Sequence, residues 1–342
     1  MLILTKLSRG YVKNRGDGNM EAILLVGGKG TRLHPLTLEL PKPMIKVAGI
    51  PFIAHQIAFA KEHGVSRIVV ATSFKSEKFE EYLGNGADFG VEIVHMQEVE
   101  PLGTGGAIRN AARALESNSA EPIIILNGDI FSAHNITEQV SVHREHNADV
   151  TLHLIRVEDA RAYGSVPTDE SGRILEFVEK SENPPTQFIN AGCYIFTRAI
   201  IDLIPPETVV SVERETFPSL LAENRKLWSY KSDTYWIDIG TPAALLKASH
   251  DLIAGNFHSP VFDTPASGRL IDNEADIADT AIVGSGCAIG SSRVEANVVI
   301  EKSIVGDGVH IEAGACISES IIGDGVIVAS GTRVVGEILV SE

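Results

Sequence analysis

Several things this 342-residue chain lacks narrow its class before any motif is read. No apolar run approaches the ~20 residues that cross a bilayer. Residues 1–19 hold one short apolar run, Leu2 to Leu4, without the ~7–15-residue apolar core and small-residue cleavage site of a secretory signal. Met20 stands just ahead of the first strand, so residues 1–19 read as a disordered extension or a misassigned start. Cysteine is scarce. Cys193, Cys287 and Cys316 are odd in number and share no metal-like spacing, which points to free thiols in a reducing cytoplasm. Positive charge is short as well, with 29 Lys and Arg against 45 Asp and Glu and a formal net charge of −16. That balance argues against nonspecific nucleic-acid binding and against an anionic membrane as partner. His34, His55, His63, His95, His134, His143, His146 and His153 are scattered without a ligand-like cluster and are assigned no chemistry.

What is present is a globular composition, 44% hydrophobic and 22% charged, in a chain long enough for two domains. It is organised around residues 22–46, AILLVGGKGTRLHPLTLELPKPMIK. The apolar run Ala22 to Val26 is short and aliphatic, as for a buried strand. It leads into Gly27, Gly28, Lys29, Gly30, Thr31 and Arg32. Glycines there bring backbone N–H groups close to an anion where a Cβ would block the approach. Arg32 adds a planar fork of donors suited to phosphate oxygens. Lys42 follows, held between Pro41 and Pro43 with their fixed φ. Loop, arginine and clamped lysine describe a polyphosphate cradle. A P-loop is excluded, because no Lys-Thr or Lys-Ser pair follows the last glycine; a dinucleotide fingerprint is excluded, because its third glycine position is Leu33. Global acidity does not oppose this. A lysine–phosphate contact at roughly 4 Å is worth on the order of 4 kcal/mol at an effective dielectric of about 20. Exposed charges beyond ~8 Å are largely screened.

From Met20 to about Asn256, strand-like runs alternate with helical patterns, predicting an α/β domain with a mostly parallel sheet over residues 20–257. Expected helices include Pro51 to His63, Ser76 to Leu83, one ending near Leu115, Thr137 to Glu145 and Pro242 to Ile253. Residues 258–276 read as a linker broken by Pro260, Pro265 and Gly268. Beyond it the period changes. Ile277, Val283 and Ile289 are six apart, as are Val299, Val305, Ile311 and Ile317, and then Ile322, Val328 and Val334. A period of six is neither helical nor that of an amphipathic strand. Repeats that short stack into a parallel β-helix, here about three turns over residues 277–342, with a meander of short hairpins as the alternative.

In open parallel sheets, ligands bind outside the carboxyl ends of the strands. The Gly27–Arg32 loop, the turn Glu98 to Gly106 and Asn127-Gly128-Asp129 all follow such strands. Asp129 follows an apolar run, a poor place for a charge without a partner. Asp238 lies in Trp236-Ile237-Asp238-Ile239-Gly240, also after an apolar segment. Alone, each is a helix cap or turn residue; together, two carboxylates can hold Mg²⁺ and leave positions for phosphate oxygens. Tyr163-Gly164, Glu179-Lys180 and Asn190-Ala191-Gly192 suit a sugar phosphate. Their alternatives are a glycine turn, a surface ion pair and a plain turn.

The segments GGKGTRL, PKP, EPLGTGGA, NGD, FVEK, NAGCYIF, SVERETFP and WIDIGTP occur in the order seen in bacterial sugar-nucleotide pyrophosphorylases. The chain resembles that nucleotidyltransferase family over most of its length. With the hexapeptide tail, it is similar to the short guanylyltransferases that use GTP and mannose-1-phosphate. The resemblance implies a Rossmann-like nucleotidyltransferase domain followed by a left-handed parallel β-helix, in a cytoplasmic, homo-oligomeric enzyme. It also implies roles. Leu25, Gly27, Gly28, Gly30, Thr31 and Arg32 would hold the nucleotide, and Glu98 and Gly103 its base. Arg32 and Lys42 would stabilise leaving pyrophosphate, while Asp129 and Asp238 bind Mg²⁺. Gly164, Glu179 and Asn190 would contact the sugar and Lys180 its phosphate, making Arg32, Lys42, Asp129 and Lys180 the catalytic set. His34 departs from the arginine or tyrosine of many members.

The expected reaction is in-line attack of a sugar-1-phosphate oxygen on the α-phosphorus of a nucleoside triphosphate. Base choice rests on Glu98, whose carboxylate can accept from guanine N1–H and its exocyclic amine. Rivals are a thymidylyl- or uridylyltransferase acting on glucose-1-phosphate, a heptose-1-phosphate guanylyltransferase, a silent regulatory homologue and a hexapeptide acyltransferase. Intact Arg32, Lys42, Asp129, Lys180 and Asp238 oppose a silent copy. The acyltransferase would need a histidine base in the coil, for which His310 is the one candidate in the repeats, but about three turns without an obvious extended loop point to assembly or regulation instead.

Overall fold

The computed structural model describes residues 20–28, 30–73 and 75–341. The expected extension at 1–19, and Lys29 of the glycine loop, lie outside the described residues. The chain forms two compact units. Among the described residues, one comprises Met20–Gly28 together with those of Gln56–Trp236; the other comprises Gly30–His55 and Ile237–Ser341. In the second unit Ile45, Val47, Ala48 and Ile50 are buried.

The first unit is built on a nine-stranded sheet. Strand Met20–Leu25 lies between Val65–Thr72 and Pro122–Asn127, parallel to both, and Glu92–Gln97 extends the parallel part. On the other side Phe188–Thr197 runs antiparallel to Pro122–Asn127 and to Val150–Arg156, which pairs in parallel with Leu227–Ser232. The central strands are aliphatic without alternation because both faces are covered. Ile23, Ile123 and Ile125 are fully buried. Helix Gly103–Ala111 packs on Met20–Leu25 and Val65–Thr72, and helix Ile136–Glu145 packs on the antiparallel flank. Gly27, Glu98 and Asp129 each follow a strand of the parallel part, so they emerge at the same carboxyl edge of the sheet.

In the second unit, helix Pro242–Ile253 has the expected bounds, with Thr241 Oγ1 accepting the Ala244 N–H as its cap. The repeats form three parallel sheets of five, four and four short strands, the arrangement of a left-handed parallel β-helix. Val283, Ile289, Val294, Ile300, Val305, Ile311, Ile317, Ile322, Val328 and Val334 point inward and make its core. The ladder starts earlier than the six-residue period suggests. Leu270–Ile271, inside the stretch expected to be linker, pairs with Ala288–Ile289, and Asp276–Ile277, at its end, pairs with Arg293–Val294. The first coil is longer than the next, from Leu270 to Ala288 against Ala288 to Ile304, which hides it from a search for strict spacing. Among the described residues no helix is long and apolar enough to cross a membrane. Cys193, Cys287 and Cys316 are free thiols, as expected.

Candidate active site

The expected site residues fall into two groups, one in each unit. In the C-terminal unit, Thr31–Leu33 is a 3₁₀ turn entered from Gly30 at φ +59°, a conformation that glycine adopts without steric cost. Thr37 Oγ1 donates to Gly30 O at 3.0 Å, and Leu33, fully buried, anchors the turn. A side chain on Gly30 would sit 3.1 Å from Lys42 Cβ, so the glycine also makes room for the lysine stem. Lys42 lies in the 3₁₀ turn Lys42–Met44 with only 11% of its side chain exposed. Its ammonium is 3.6 Å from Asp238 Oδ1, and Arg32 Nη2 is 3.9 Å from Asp238 Oδ2. Asp238 Oδ1 also accepts the Gly240 N–H at 2.8 Å. A Cβ on Gly240 would stand 2.6 Å from Arg32 Nη2 and 2.8 Å from Asp238 Oδ1, so a larger residue there would displace the tip of the exposed arginine.

The two residues expected to balance the leaving pyrophosphate are therefore neighbours of one expected to bind the metal. Two cations flank one carboxylate, and Arg32, 65% exposed, presents its remaining donors outward. Such a cluster suits a polyanion. A carboxylate among fixed cations can also share a hard divalent ion with phosphate oxygens, so Asp238 fits the donor chemistry of Mg²⁺.

In the first unit, Leu25 ends its strand opposite Asn127 and Ala71. Gly27 follows it, and the exposed Gly28 has φ +112°. Gly128 N–H donates to Leu25 O at 2.8 Å, which places half-buried Asp129 beside the glycine loop. Gln56 Nε2 donates to Asn127 O at 2.7 Å and to Ile130 O at 3.3 Å, holding the chain on both sides of Asp129.

Glu98 is 7% exposed, and burial pushes its carboxyl above the usual range against a long 3.5 Å bond from Leu102 N–H. Its Oε1 is buried without a hydrogen-bond partner among the described residues. An orphaned acceptor of this kind costs free energy unless a donor arrives. Gly103 opens the helix that follows.

Strand Gly164–Ser165 pairs with Val178–Glu179, setting Gly164 opposite Glu179. Burial raises the Glu179 carboxyl despite Lys180, whose ammonium lies 3.9 Å from Glu179 Oε1. The surface ion pair weighed as the alternative is thus present, while Lys180 remains 63% exposed on a backbone at φ +38°. A lysine in that region is uncommon and marks a functional position or local strain. Asn190 sits where the pairing of Phe188–Thr197 with Val150–Arg156 slips register. Its Nδ2 donates to Tyr194 OH at 2.8 Å, and its Oδ1 accepts the Gly192 N–H at 3.1 Å.

Sequence reading missed the group behind Asn190. Glu213, on the π-helix Val212–Thr216, accepts from Thr104 Oγ1 at 2.8 Å and Ser211 Oγ at 2.9 Å, and from Tyr194 OH at 3.4 Å. Burial and the Glu213 charge hold the Tyr194 phenol well above its ordinary value, so Tyr194 stays a neutral donor. The motif SVERETFP held the only signal, a carboxylate without a visible partner. The histidines expected to be scattered include one close pair. His134 and His153 stack with centroids 3.8 Å apart, bonded to Ser132, Gln139 and Ser232, and burial keeps both neutral.

Comparison with known proteins fits this geometry. Residues 21–255 match the nucleotidyl transferase family. The chain is 42% identical to the mannose-1-phosphate guanylyltransferase of Mycobacterium tuberculosis, over 85% of this chain and 81% of that one. It is 35% identical to mannose-1-phosphate guanylyltransferase 1 of Arabidopsis thaliana, over 85% and 82%. Among solved structures, HddC of Yersinia pseudotuberculosis in complex with GMP-PN is 30% identical, with a TM-score of 0.58, covering 67% of this chain and 98% of that one. Matched by the family model over residues 21–255 and 42% identical to a named member over 85% of its length, the chain belongs to the nucleotidyl transferase family.

Proposed function

We propose that this protein is a mannose-1-phosphate guanylyltransferase, converting GTP and mannose-1-phosphate to GDP-mannose and pyrophosphate. The observation that carries the choice of nucleotide is Glu98 Oε1, a buried acceptor with no partner among the described residues. Guanine offers N1–H and an exocyclic amine to a carboxylate, whereas uracil and thymine offer one donor. The relatives named for guanylyl transfer to mannose-1-phosphate, and the neighbour solved with GMP-PN, support the same choice.

An oxygen of the mannose-1-phosphate attacks the α-phosphorus, the bond from that phosphorus to the β-phosphate bridging oxygen breaks, and pyrophosphate leaves with the electron pair. The nucleophile is already an anion, so no side chain need remove a proton. Lys180 holds and orients the attacking phosphate, and Arg32 and Lys42 balance the charge growing on the leaving group. Glu179 and Asn190 accept from sugar hydroxyls, and Glu98 orients the base. Asp129 and Asp238 would hold Mg²⁺, which supplies charge neutralisation on the phosphates.

The test is pyrophosphate release with each nucleoside triphosphate crossed against mannose-, glucose- and heptose-1-phosphate, with and without Mg²⁺. GTP with mannose-1-phosphate and Mg²⁺ should give the highest kcat/KM. A preference for UTP or dTTP with glucose-1-phosphate would replace this reading by the thymidylyl- or uridylyltransferase.

A further inference from the structure

The Gly-Asp-Gly turns at residues 306–308 and 323–325 have no part in the reaction described above, yet their aspartates do more than turn the chain. Asp324 Oδ1 accepts the Asp307 N–H at 2.8 Å, and Asp307 Oδ1 accepts the Ser291 N–H at 3.0 Å. Each carboxylate is thus fixed by the backbone of the preceding coil. Gly290 and Gly306 lack the Cβ atoms that would collide with them. The second oxygens meet one side chain: Lys46 Nζ bonds Asp307 Oδ2 and lies 3.9 Å from Asp324 Oδ2.

Lys46 stands one short 3₁₀ turn beyond Lys42. Ile45 N–H donates to Lys42 O at 3.1 Å, and Lys46–Val47 then pairs with Ile50–Pro51 in a hairpin. That hairpin is tied down along its length. Ala48 N–H donates to Ser249 Oγ at 3.1 Å on helix Pro242–Ile253. His55 bonds Val47 O at 3.2 Å and Ser259 Oγ at 2.7 Å, and burial lowers its imidazole to about 4, so it stays neutral. Val47 is fully buried. Between Lys42 and Lys46, then, proline, 3₁₀ turn and strand leave little torsional freedom to absorb a shift.

We propose that Lys46 is a positioning residue: clamped by Asp307 and Asp324, it lets the β-helix set where the Lys42 ammonium stands. The proposal rests on Lys42 acting on pyrophosphate. It gives the coils a part in catalysis without any group of theirs touching substrate. The pair is half-exposed, so the expected effect is modest, since exposed ion pairs are worth at most about 1 kcal/mol each.

The experiment is steady-state kinetics in both directions for Lys46→Met, Lys46→Arg, the double variant Asp307→Asn/Asp324→Asn, and Lys42→Met as reference, with thermal melts of each. Lys46→Met and the double variant should raise KM for pyrophosphate and lower kcat by ~5-fold, one kcal/mol's worth. KM for mannose-1-phosphate should stay within about twofold, Lys46→Arg should restore most of the loss, and Tm should move by a few degrees at most. Wild-type pyrophosphate KM and kcat in Lys46→Met overturn the proposal, as does an equal rise in every KM. An unaffected Lys42→Met would instead overturn the role of Lys42, and the proposal with it.

Discussion

The group around Asp238 and the group around Glu98 are built on opposite principles. Arg32, Lys42 and Asp238 are charges paired with charges, one of them largely exposed and all within 4 Å of a partner. Glu98, Glu179 and Asn190 are polar groups pressed into half-buried pockets of the sheet unit, with carboxyls raised by burial and few bonds of their own. The first kind of construction suits a ligand whose charge must be neutralised while it departs. The second suits a ligand whose shape and donors must be matched. Substitutions in the first group should therefore lower turnover, and those in the second should change preference.

The largest effect is expected at the carboxylates. Asp238→Ala leaves Arg32 and Lys42 without their common partner, and Asp129→Ala removes the strand-end carboxylate. Each should lower kcat at least ~100-fold, about 2.7 kcal/mol of barrier, measured as pyrophosphate release at saturating GTP and Mg²⁺. Near-normal turnover in either variant would break the assignment of that aspartate to the metal.

A smaller effect sharpens the contrast. Glu98→Gln keeps the size and one acceptor oxygen but replaces the other with a donor facing guanine donors. The ratio of kcat/KM for GTP over UTP should fall by ~10-fold or more, with kcat for GTP changing less. An unchanged ratio would move base reading to the backbone.

How much of this was legible in the sequence follows from the range of the contacts. The glycine loop, Arg32 and Lys42 are close in the chain, so the expectation of a polyphosphate cradle could be drawn from local spacing alone. Pairing of both cations with Asp238 could not, because hydropathy says nothing about which distant carboxylate returns. Glu213 was missed for the same reason: its partners Thr104 and Tyr194 lie far from it in sequence. The coils were visible because inward aliphatic residues repeat every six positions, but the longer first coil at Leu270 escaped a strict period. Asp307 and Asp324 looked like turn formers. Only the fold shows that their second oxygens face Lys46.

The smallest effect separates the site from its scaffold. Burial lowers the His55 and His143 imidazoles to about 4 and that of His153 to about 3, whereas in the unfolded chain each titrates near about 6.5. Below about pH 6.5 the unfolded chain therefore binds more protons than the native one, so stability rises with pH across this window and falls on acidification. By pH ~5.5 each should cost roughly 1 kcal/mol, seen as a falling Tm. The His143→Gln variant should flatten the profile without altering the substrate preferences set by Glu98. A Tm independent of pH from about 7 to 5 would contradict the buried neutral assignments.

The proposed division of labour between the cations, one serving the leaving group and one the attacking phosphate, is tested most directly by the KM values of Lys42→Met and Lys180→Met. Lys42→Met should raise KM for pyrophosphate in the reverse reaction by ~10-fold or more while leaving KM for mannose-1-phosphate near the wild-type value. Lys180→Met should do the reverse. Equal losses for both substrates in both variants, or the opposite pairing, would contradict the assignment of one lysine to the leaving group and the other to the attacking phosphate.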